Sequence, residues 1–216
     1  MDISIIVPCY NSANTIDICA NSILTQNYNE LSWELIIVDD TLNDSSLDKY
    51  KEKENVRVIK NDENLGLASS RNVGIKNSTG NLLIFVDSDM ELENGWIKSA
   101  VNTMKNTSIM GLMGKYKLPK NVKPNTLDKY LYSSLRGAKN DVNEPLHFRW
   151  FLFSSAMVRK EVLEDAFDES LKSYGGEDTE LALRIYNKFP RGLRFDKNLI
   201  CYHHDQKNLA EFCNNM

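Results

Sequence analysis

The chain has 216 residues and a net charge of −4, which suffices for one large domain with a substantial core and argues against a general nucleic-acid binder. The four cysteines show no C-x-x-C or zinc-like spacing, so we expect reduced thiols: Cys9, Cys19, Cys201 and Cys213. No apolar run approaches the ~20 residues needed to cross a bilayer, and the first residues resemble a core strand more than a signal peptide. We therefore expect a cytoplasmic protein.

Buried strands alternate with helices over the first ninety residues. The predicted strands are 3–7, 33–38, 56–59 and 82–86, the first of them broken by Pro8. The predicted helices are 13–25, about 67–77, and a polar helix from about 45 to 54. This alternation favours an α/β fold with a right-handed, mostly parallel central sheet flanked by helices.

The second half is less regular. The predicted helices are 96–105, about 127–135, 178–188 and 208–214. The predicted strands are 109–117 and 199–202, residues 148–158 are expected to be extended, and most of 119–145 to form loops. No repeat or linker interrupts the chain, so a single domain is predicted.

Polar clusters follow three of the predicted strands. They are Pro8-Cys9-Tyr10-Asn11, Asp39-Asp40 and Asp87-Ser88-Asp89. In a parallel sheet these ends lie on the same edge, where open α/β sheets bind their ligands. Carboxylate oxygens suit Mg²⁺ or Mn²⁺, and these ions in turn suit a diphosphate.

With these clusters the chain resembles the inverting glycosyltransferases of family 2, which have the GT-A fold. The matching segments are 6–11, 37–40, 64–66, 71–74, 85–89 and 176–181. The resemblance implies one catalytic domain over residues 1–216, with a nucleotide-sugar-binding half in 1–90 and an acceptor-binding half in 91–216. The chain stops within a predicted helix, which leaves open whether residue 216 is its natural end.

The resemblance places a nucleotide-sugar site at the strand ends. Pro8, Tyr10 and Asp39 would line the nucleoside pocket, where Tyr10 offers a face to the base and Asp39 an acceptor for the N–H of uracil. Asn11 and Ser88 belong to the same polar clusters and are assigned to the same site. Asp40 either orients a loop or touches the ribose.

Arg71 has three open interpretations. It could clamp a phosphate, pair with Asp87 or Asp39, or be an ordinary surface arginine.

Asp87 and Asp89 form the DxD motif that the family uses around a divalent metal, Mn²⁺ or Mg²⁺. Asp89 is expected to bind the metal directly, and Asp87 to bind the ribose, the metal or both. The resemblance supplies a third ligand from the histidine pair after the last strand. Adjacent strand residues face opposite ways, so only one histidine can reach the site; His203 is preferred and His204 is the alternative.

Glu177 and Asp178 open a predicted helix. The resemblance makes Asp178 the general base that takes the proton from an acceptor hydroxyl, with Glu177 binding the acceptor or positioning Asp178. The competing interpretation is simple capping, since acids in a first turn are favoured by the helix dipole. Trp150 is the candidate for stacking on the acceptor sugar, although aromatic runs of this kind are more often core.

The sequence thus predicts a metal-dependent hexosyl- or N-acetylhexosaminyltransferase that uses a nucleotide sugar, UDP-linked by expectation. Its acceptor would be a carbohydrate or a lipid-linked glycan, with peripheral membrane association through that acceptor or a missing segment. One alternative is a nucleotidyltransferase, which would usually carry a glycine-rich loop with a basic residue where Pro8 to Asn11 stand. The other is a non-catalytic nucleotide-sugar-binding module, against which Asp89 and Asp178 argue.

Overall fold

The computed structural model describes residues 2–28, 30–41, 45–132, 144–171 and 176–204. These residues form eight strands: β1 (Ile3–Cys9), β2 (Trp33–Asp39), β3 (Val56–Lys60), β4 (Leu82–Val86), β5 (Met90–Leu92), β6 (Gly111–Lys117), β7 (Ser155–Arg159) and β8 (Leu193–His203). They also form five α-helices: α1 (Ile16–Leu24), α2 (Leu67–Asn77), α3 (Trp96–Met104), α4 (Thr126–Leu131) and α5 (Gly176–Lys188). No helix in this part of the chain is long and apolar enough to span a membrane.

All eight strands join one sheet in the order β3-β2-β1-β4-β7-β6-β8-β5. The first four run parallel to one another, and β6 runs parallel to β8. Strand β7 is antiparallel to both β4 and β6, and β5 is antiparallel to β8. The α/β class and the mostly parallel sheet are therefore confirmed.

Strand β1 lies at the centre of the core because both of its faces are apolar. Ile3, Ile5 and Val7 pack into a cluster with residues of α1 and α3, whereas Ile6 packs into a second cluster with α2 and α5. All four side chains are fully buried. Burial on both faces explains why this strand is apolar apart from Ser4, whose hydroxyl donates to Glu34 Oε1.

The prediction that Pro8 breaks the first strand is wrong. Pro8 lies inside β1 and is aligned with Val38 of β2. The next residue, Cys9, accepts a hydrogen bond from Asp40 N at 2.8 Å, so Pro8 faces the β4 side. Pairing with β4 has already ended at Ile6, so the missing N–H costs no ladder bond.

Two other local predictions are corrected. The polar helix at 45–54 is only a 3₁₀ turn, Asp48–Tyr50, because this stretch offers too few apolar side chains to anchor a longer helix. Residues Phe148–Trp150 also form a 3₁₀ turn, and the extended stretch begins only at Ser155.

The last strand is longer than predicted, and a short strand was missed. Strand β8 spans eleven residues instead of the four predicted at 199–202, and its register with β6 shifts after Gly114, where residues 197–199 of β8 have no partner in β6. Strand β5 has three residues and is defined by its pairing with β8. The predicted helix at 208–214, Cys213, and the end of the helix predicted near 127–135 lie outside the described residues; Cys9, Cys19 and Cys201 are buried thiols.

Candidate active site

The turns after β1 and β2 are tied together at one edge of the sheet. Asn11, which has a positive φ of 51°, donates its backbone N–H to Thr41 Oγ1 at 2.8 Å. Thr41 N in turn donates to Asp39 Oδ1 at 3.0 Å, and Asp39 is buried. Tyr10, in contrast to Asp39, has 59% of its surface exposed. The arrangement leaves an aromatic face in solvent beside a buried carboxylate.

Asp40 uses both carboxylate oxygens to hold the loop before α2. Oδ1 accepts from Leu65 N at 2.9 Å and from Asn61 Nδ2 at 2.7 Å, and Oδ2 accepts from Gly66 N at 2.9 Å. These contacts favour the loop-orienting interpretation of Asp40 over contact with a ribose. The loop ends at Gly66, whose φ of 85° is readily available only to glycine.

Helix α2 then lies directly against β1. A Cβ at Gly74 would come within 2.3 Å of Ile6 Cγ2, so a larger residue would push the helix away. Slightly less than one turn earlier in the same helix is Arg71, which is only 1% exposed. The close approach fixes the depth at which this guanidinium sits.

Arg71 joins carboxylates from two distant segments. Its Nη2 lies 2.9 Å from Asp87 Oδ1, its Nη1 lies 2.6 Å from Asp178 Oδ1, and Glu177 Oε1 is 3.6 Å away. Phe167 covers the guanidinium, with 5.1 Å between its ring centroid and Cζ. The surface-arginine interpretation is therefore wrong. Arg71 has the predicted partner Asp87 and one that sequence analysis missed, Asp178.

The same contacts set the electrostatics. Burial raises the pKa of Asp178 above its ordinary value and Asp87 adds to this, while the Arg71 guanidinium and the Phe153 N–H oppose it. Burial would lower the pKa of Arg71, but Asp178 and Asp87 outweigh it, so the pKa of Arg71 is raised and its charge is secure. Asp178 thus has the balance of burial and cation contact that suits a proton acceptor.

Asp178 and Glu177 lie in the first turn of α5 and are both buried. Asp178 Oδ2 accepts from Phe153 N at 2.9 Å, so its two oxygens bind groups outside its own helix. Simple capping does not account for these contacts. The predicted capping role is thus less well supported than a role in the site.

The turn between β4 and β5 carries the DxD motif and is anchored on both sides. Asp87 N donates to Ser154 O at 2.9 Å, and His204 N donates to Asp89 O at 2.8 Å. Ser88 lies half-buried between the two aspartates. The second contact follows from the pairing of β5 with β8, which brings the histidine pair to this turn.

The two histidines face different carboxylates. His203 Nε2 lies 3.1 Å from Asp89 Oδ2, and its Nδ1 lies 2.8 Å from the Tyr132 hydroxyl. His204 Nε2 lies 2.7 Å from Glu91 Oε2. The structure therefore brings His203, the preferred candidate, to Asp89, and directs His204 elsewhere.

A divalent metal fits beside Asp89. Asp89 Oδ1 is buried and has no hydrogen-bond partner among the described residues, which is costly unless another ligand satisfies it. No group of three histidine, cysteine or acidic side chains in the described ranges is arranged to hold a metal alone. Asp89 and His203 would supply two ligands, and ions such as Mg²⁺ often take the remainder from substrate phosphates and water.

Trp150 lies on the 3₁₀ turn Phe148–Trp150 and is 39% exposed, whereas Phe151 and Phe153 are fully buried. The aromatic run is thus largely core, and Trp150 remains available to a ligand. Sequence analysis missed the buried Tyr116 hydroxyl, which has no hydrogen bond of good geometry within the described residues although Ser155 lies close enough to lower its pKa. Burial raises the pKa of Tyr116 well above its usual range, with Cys201, Asp178 and Asp87 adding to the effect. No local motif marks this tyrosine.

Comparison with known proteins gives consistent results. Residues 4–167 match the family model described as "Glycosyl transferase family 2". A poly(ribitol-phosphate) beta-glucosyltransferase of Bacillus spizizenii is 45% identical over 94 residues, covering 41% of this chain and 15% of that protein. The Escherichia coli UDP-Glc:alpha-D-GlcNAc-diphosphoundecaprenol beta-1,3-glucosyltransferase WfgD is 30% identical over 121 residues, covering 55% of this chain and 47% of that one.

Among solved structures, Staphylococcus aureus TarS 1–349 in complex with UDP superposes with a TM-score of 0.74. It is 26% identical, and the match covers 94% of this chain and 60% of that one. The chain thus spans less than two thirds of each of these three proteins.

Proposed function

This chain belongs to glycosyl transferase family 2, and we propose that it is a metal-dependent, inverting enzyme that transfers a sugar from a UDP-sugar to a carbohydrate or lipid-linked carbohydrate. The observation that carries the proposal is the bridge made by Arg71. One buried guanidinium holds Asp87 of the DxD motif at 2.9 Å and Asp178 at 2.6 Å. The carboxylate expected to face the donor and the expected base are therefore adjacent.

In this reaction an acceptor hydroxyl attacks the anomeric carbon of the donor from the face opposite the diphosphate. The new C–O bond forms as the bond to the diphosphate breaks, and the bonding pair leaves with UDP. Asp178 takes the hydroxyl proton, for which its buried position and raised pKa are suited. Arg71 holds this carboxylate in place, and Glu177, 3.6 Å from the same guanidinium, is assigned to the acceptor side.

The proposed metal site consists of Asp89 and His203. A bound divalent ion, Mn²⁺ or Mg²⁺, would offset the negative charge that develops on the leaving diphosphate. Asp89 offers the buried Oδ1, to which no described residue donates a hydrogen bond, and His203 offers Nε2. Tyr132 positions His203 through the 2.8 Å contact with Nδ1, which fixes the ring so that Nε2 faces Asp89. Asp87, already engaged by Arg71, is assigned to the ribose or to the metal.

For the donor, Tyr10 would stack on the base and Asp39 would accept from its N–H, with Pro8, Asn11, Asp40 and Ser88 shaping the pocket. The preference for UDP is supported by the UDP-bound relative at 26% identity and by the UDP-glucose in the name of the E. coli relative. The names of the relatives also include a polyol-phosphate polymer and a lipid-linked diphosphate sugar as acceptors. Trp150 is assigned to the acceptor sugar.

The division into a donor half at 1–90 and an acceptor half at 91–216, the cytoplasmic setting and the peripheral membrane association are part of the same proposal. Donor and acceptor binding to variants of each half tests the division into halves. Cell fractionation tests the cytoplasmic setting and the membrane association.

A thermal-shift panel tests the proposal. Purified chain is heated with UDP-glucose, UDP-N-acetylglucosamine, GDP-mannose and ATP, each with Mn²⁺ or with EDTA. A UDP-sugar is expected to raise the melting temperature only when Mn²⁺ is present, because a ligand stabilises the state that binds it. Stabilisation by ATP and by none of the nucleotide sugars would favour a nucleotidyltransferase. A nucleotide sugar that raises the melting temperature but is neither transferred nor hydrolysed would favour a non-catalytic nucleotide-sugar-binding module.

A further inference from the structure

A cavity of about 370 Å³ lies beside the candidate metal site, since Tyr132 both lines it and contacts His203. It is formed by the end of β6, the segment that follows and helix α4, and its lining residues are Lys115, Tyr116, Lys117, Leu118, Pro124, Asp128, Lys129 and Tyr132. We propose that this lysine cavity binds a phosphate group of the acceptor, so that the acceptor is an anionic, phosphate-bearing glycan or polyol. The proposal rests on the transferase function proposed above.

The charge of the cavity points to an anion. Three lysines face a single carboxylate, a net charge of +2, and Lys115, Lys117 and Lys129 form no ion pair with any described residue. Asp128 is the carboxylate, and its Oδ2 already accepts from Asn125 N at 2.8 Å in the capping box of α4. Ammonium groups with no ion-pair partner among the described residues are available to a phosphate.

The placement of two of these lysines follows from the strand. Lys115 and Lys117 are two residues apart in β6, and alternate residues of a strand lie on the same side. Their partners in β8 are Ile200 and Tyr202, so Lys117 lies at the level of the residue before His203. The cavity is therefore at the same edge of the sheet as the DxD turn.

The orientation of His203 separates this cavity from the donor diphosphate. Its Nε2 faces Asp89, where the diphosphate would meet the metal, and its Nδ1 faces the Tyr132 hydroxyl that lines the cavity. The two nitrogens lie on opposite sides of the imidazole ring. A phosphate in the lysine cavity would consequently be a second anion, distinct from a metal-bound diphosphate, and we assign it to the acceptor.

The test compares a phosphorylated probe with its neutral match. Glucose 6-phosphate and glucose are titrated by calorimetry into the chain saturated with UDP and Mn²⁺. We expect the phosphate to bind at least about tenfold more tightly than glucose, with an advantage that falls as salt is raised. The triple variant Lys115→Gln, Lys117→Gln, Lys129→Gln should lose this advantage, and Lys105→Gln, an exposed lysine after α3, should keep it.

UDP affinity is measured on the same proteins to separate the possible failures. The triple variant should bind UDP with Mn²⁺ as tightly as the unmodified chain, which also shows that it is folded. Loss of UDP affinity in the triple variant would assign the lysines to the donor and overturn the proposal. Equal binding of the two probes, or a phosphate advantage that survives in the triple variant, would overturn it as well. Failure of the unmodified chain to bind UDP would instead overturn the proposed function.

Discussion

The two halves of the sheet hold their site residues in different ways. In β1 to β4 the strands are parallel, and Asp39, Asp40 and Asp87 lie where strands end, so local sequence determines their place. In β5 to β8 the directions are mixed, and His203 and Asp178 reach the site through strand pairing and long-range contacts. The halves meet at Arg71, a cation from the first half bound to a carboxylate from the second. The proposed chemistry therefore uses a contact that neither half contains alone.

The largest expected effect comes from the second half. Asp178→Asn keeps the shape of the side chain but cannot accept a proton, so sugar transfer should fall by roughly 10²–10⁴-fold. UDP binding with Mn²⁺ should be nearly unchanged, because Arg71 still has Asp87 as a partner. Steady-state kinetics and calorimetry measure the two quantities.

The matched control is Glu164→Gln, which removes an exposed carboxylate paired with Lys188 in the same half. It should leave transfer unchanged. Transfer at the unmodified rate in Asp178→Asn would move the base to Glu177.

Removal of the contact between the halves is the next largest effect. Arg71→Met leaves Asp87 and Asp178 without their buried cation, which should lower the free energy of unfolding by about 3–5 kcal/mol. Arg71 also opposes the raised pKa of Asp178, so its loss should raise that pKa further and move the acid limb of kcat/KM to higher pH. Arg71→Lys keeps the charge and should shift the limb less. An acid limb that stays in place in Arg71→Met would show that Arg71 does not act on the base.

Glu34 lies at the opposite edge of the sheet, where a substitution is expected to change stability and to leave catalysis unchanged. Burial would raise the pKa of Glu34, but hydrogen bonds from Thr79, Ser4 and Arg57 lower it to about 2. The ionised form is therefore stabilising above the unfolded pKa of about 4.5, and this contribution is lost as the pH falls toward about 2. At pH 7, Glu34→Gln should lower the free energy of unfolding by roughly 2–3 kcal/mol.

Urea unfolding at several pH values checks this prediction. The difference between Glu34→Gln and the unmodified chain should vanish as the pH approaches 2, and turnover per folded molecule should not change. A stability difference that is independent of pH would mean that the charge of Glu34 is not the cause.

The smallest expected effect separates the two histidines. His203→Ala removes the imidazole that faces Asp89, so the Mn²⁺ concentration required for half-maximal activity should rise about tenfold or more. His204→Ala is the matched control, since its imidazole faces Glu91. Metal titrations of both variants decide the assignment. Equal responses would remove His203 from the metal site, and the reverse pattern would assign the role to His204.

Sequence analysis predicted the first half well because its signals are local. Strands β2 and β4 each contain an uninterrupted apolar run, 35–38 in β2 and 82–86 in β4, and the polar residues after these runs mark the sheet edge. Pro8 led to a wrong strand boundary. A proline is tolerated in β1 only because pairing with β4 ends at Ile6, and the sequence of β1 does not show where that pairing ends. The missed strand β5 has too few residues to show alternation.

Sequence analysis named the candidate site residues and the pairing of Arg71 with Asp87, and it missed other contacts between them. Residue types indicated Asp87, Asp89, His203 and Asp178, but the pairing of Arg71 with Asp178 spans 107 residues and has no local signature. The same holds for the Tyr132 hydroxyl at His203 and for the lysine cavity beside it. Such contacts arise from the packing of separate elements, which only the folded chain shows.

The most direct test of the account is the metal dependence of UDP binding. Asp87 and Asp89 would repel a diphosphate unless a cation lies between them, so UDP titrated into the chain by calorimetry should bind at least about tenfold more weakly in EDTA than in Mn²⁺, a difference of ~1.4 kcal/mol. Asp89→Asn should remove most of that difference. Equal UDP affinity with and without the metal in the unmodified chain would contradict the account.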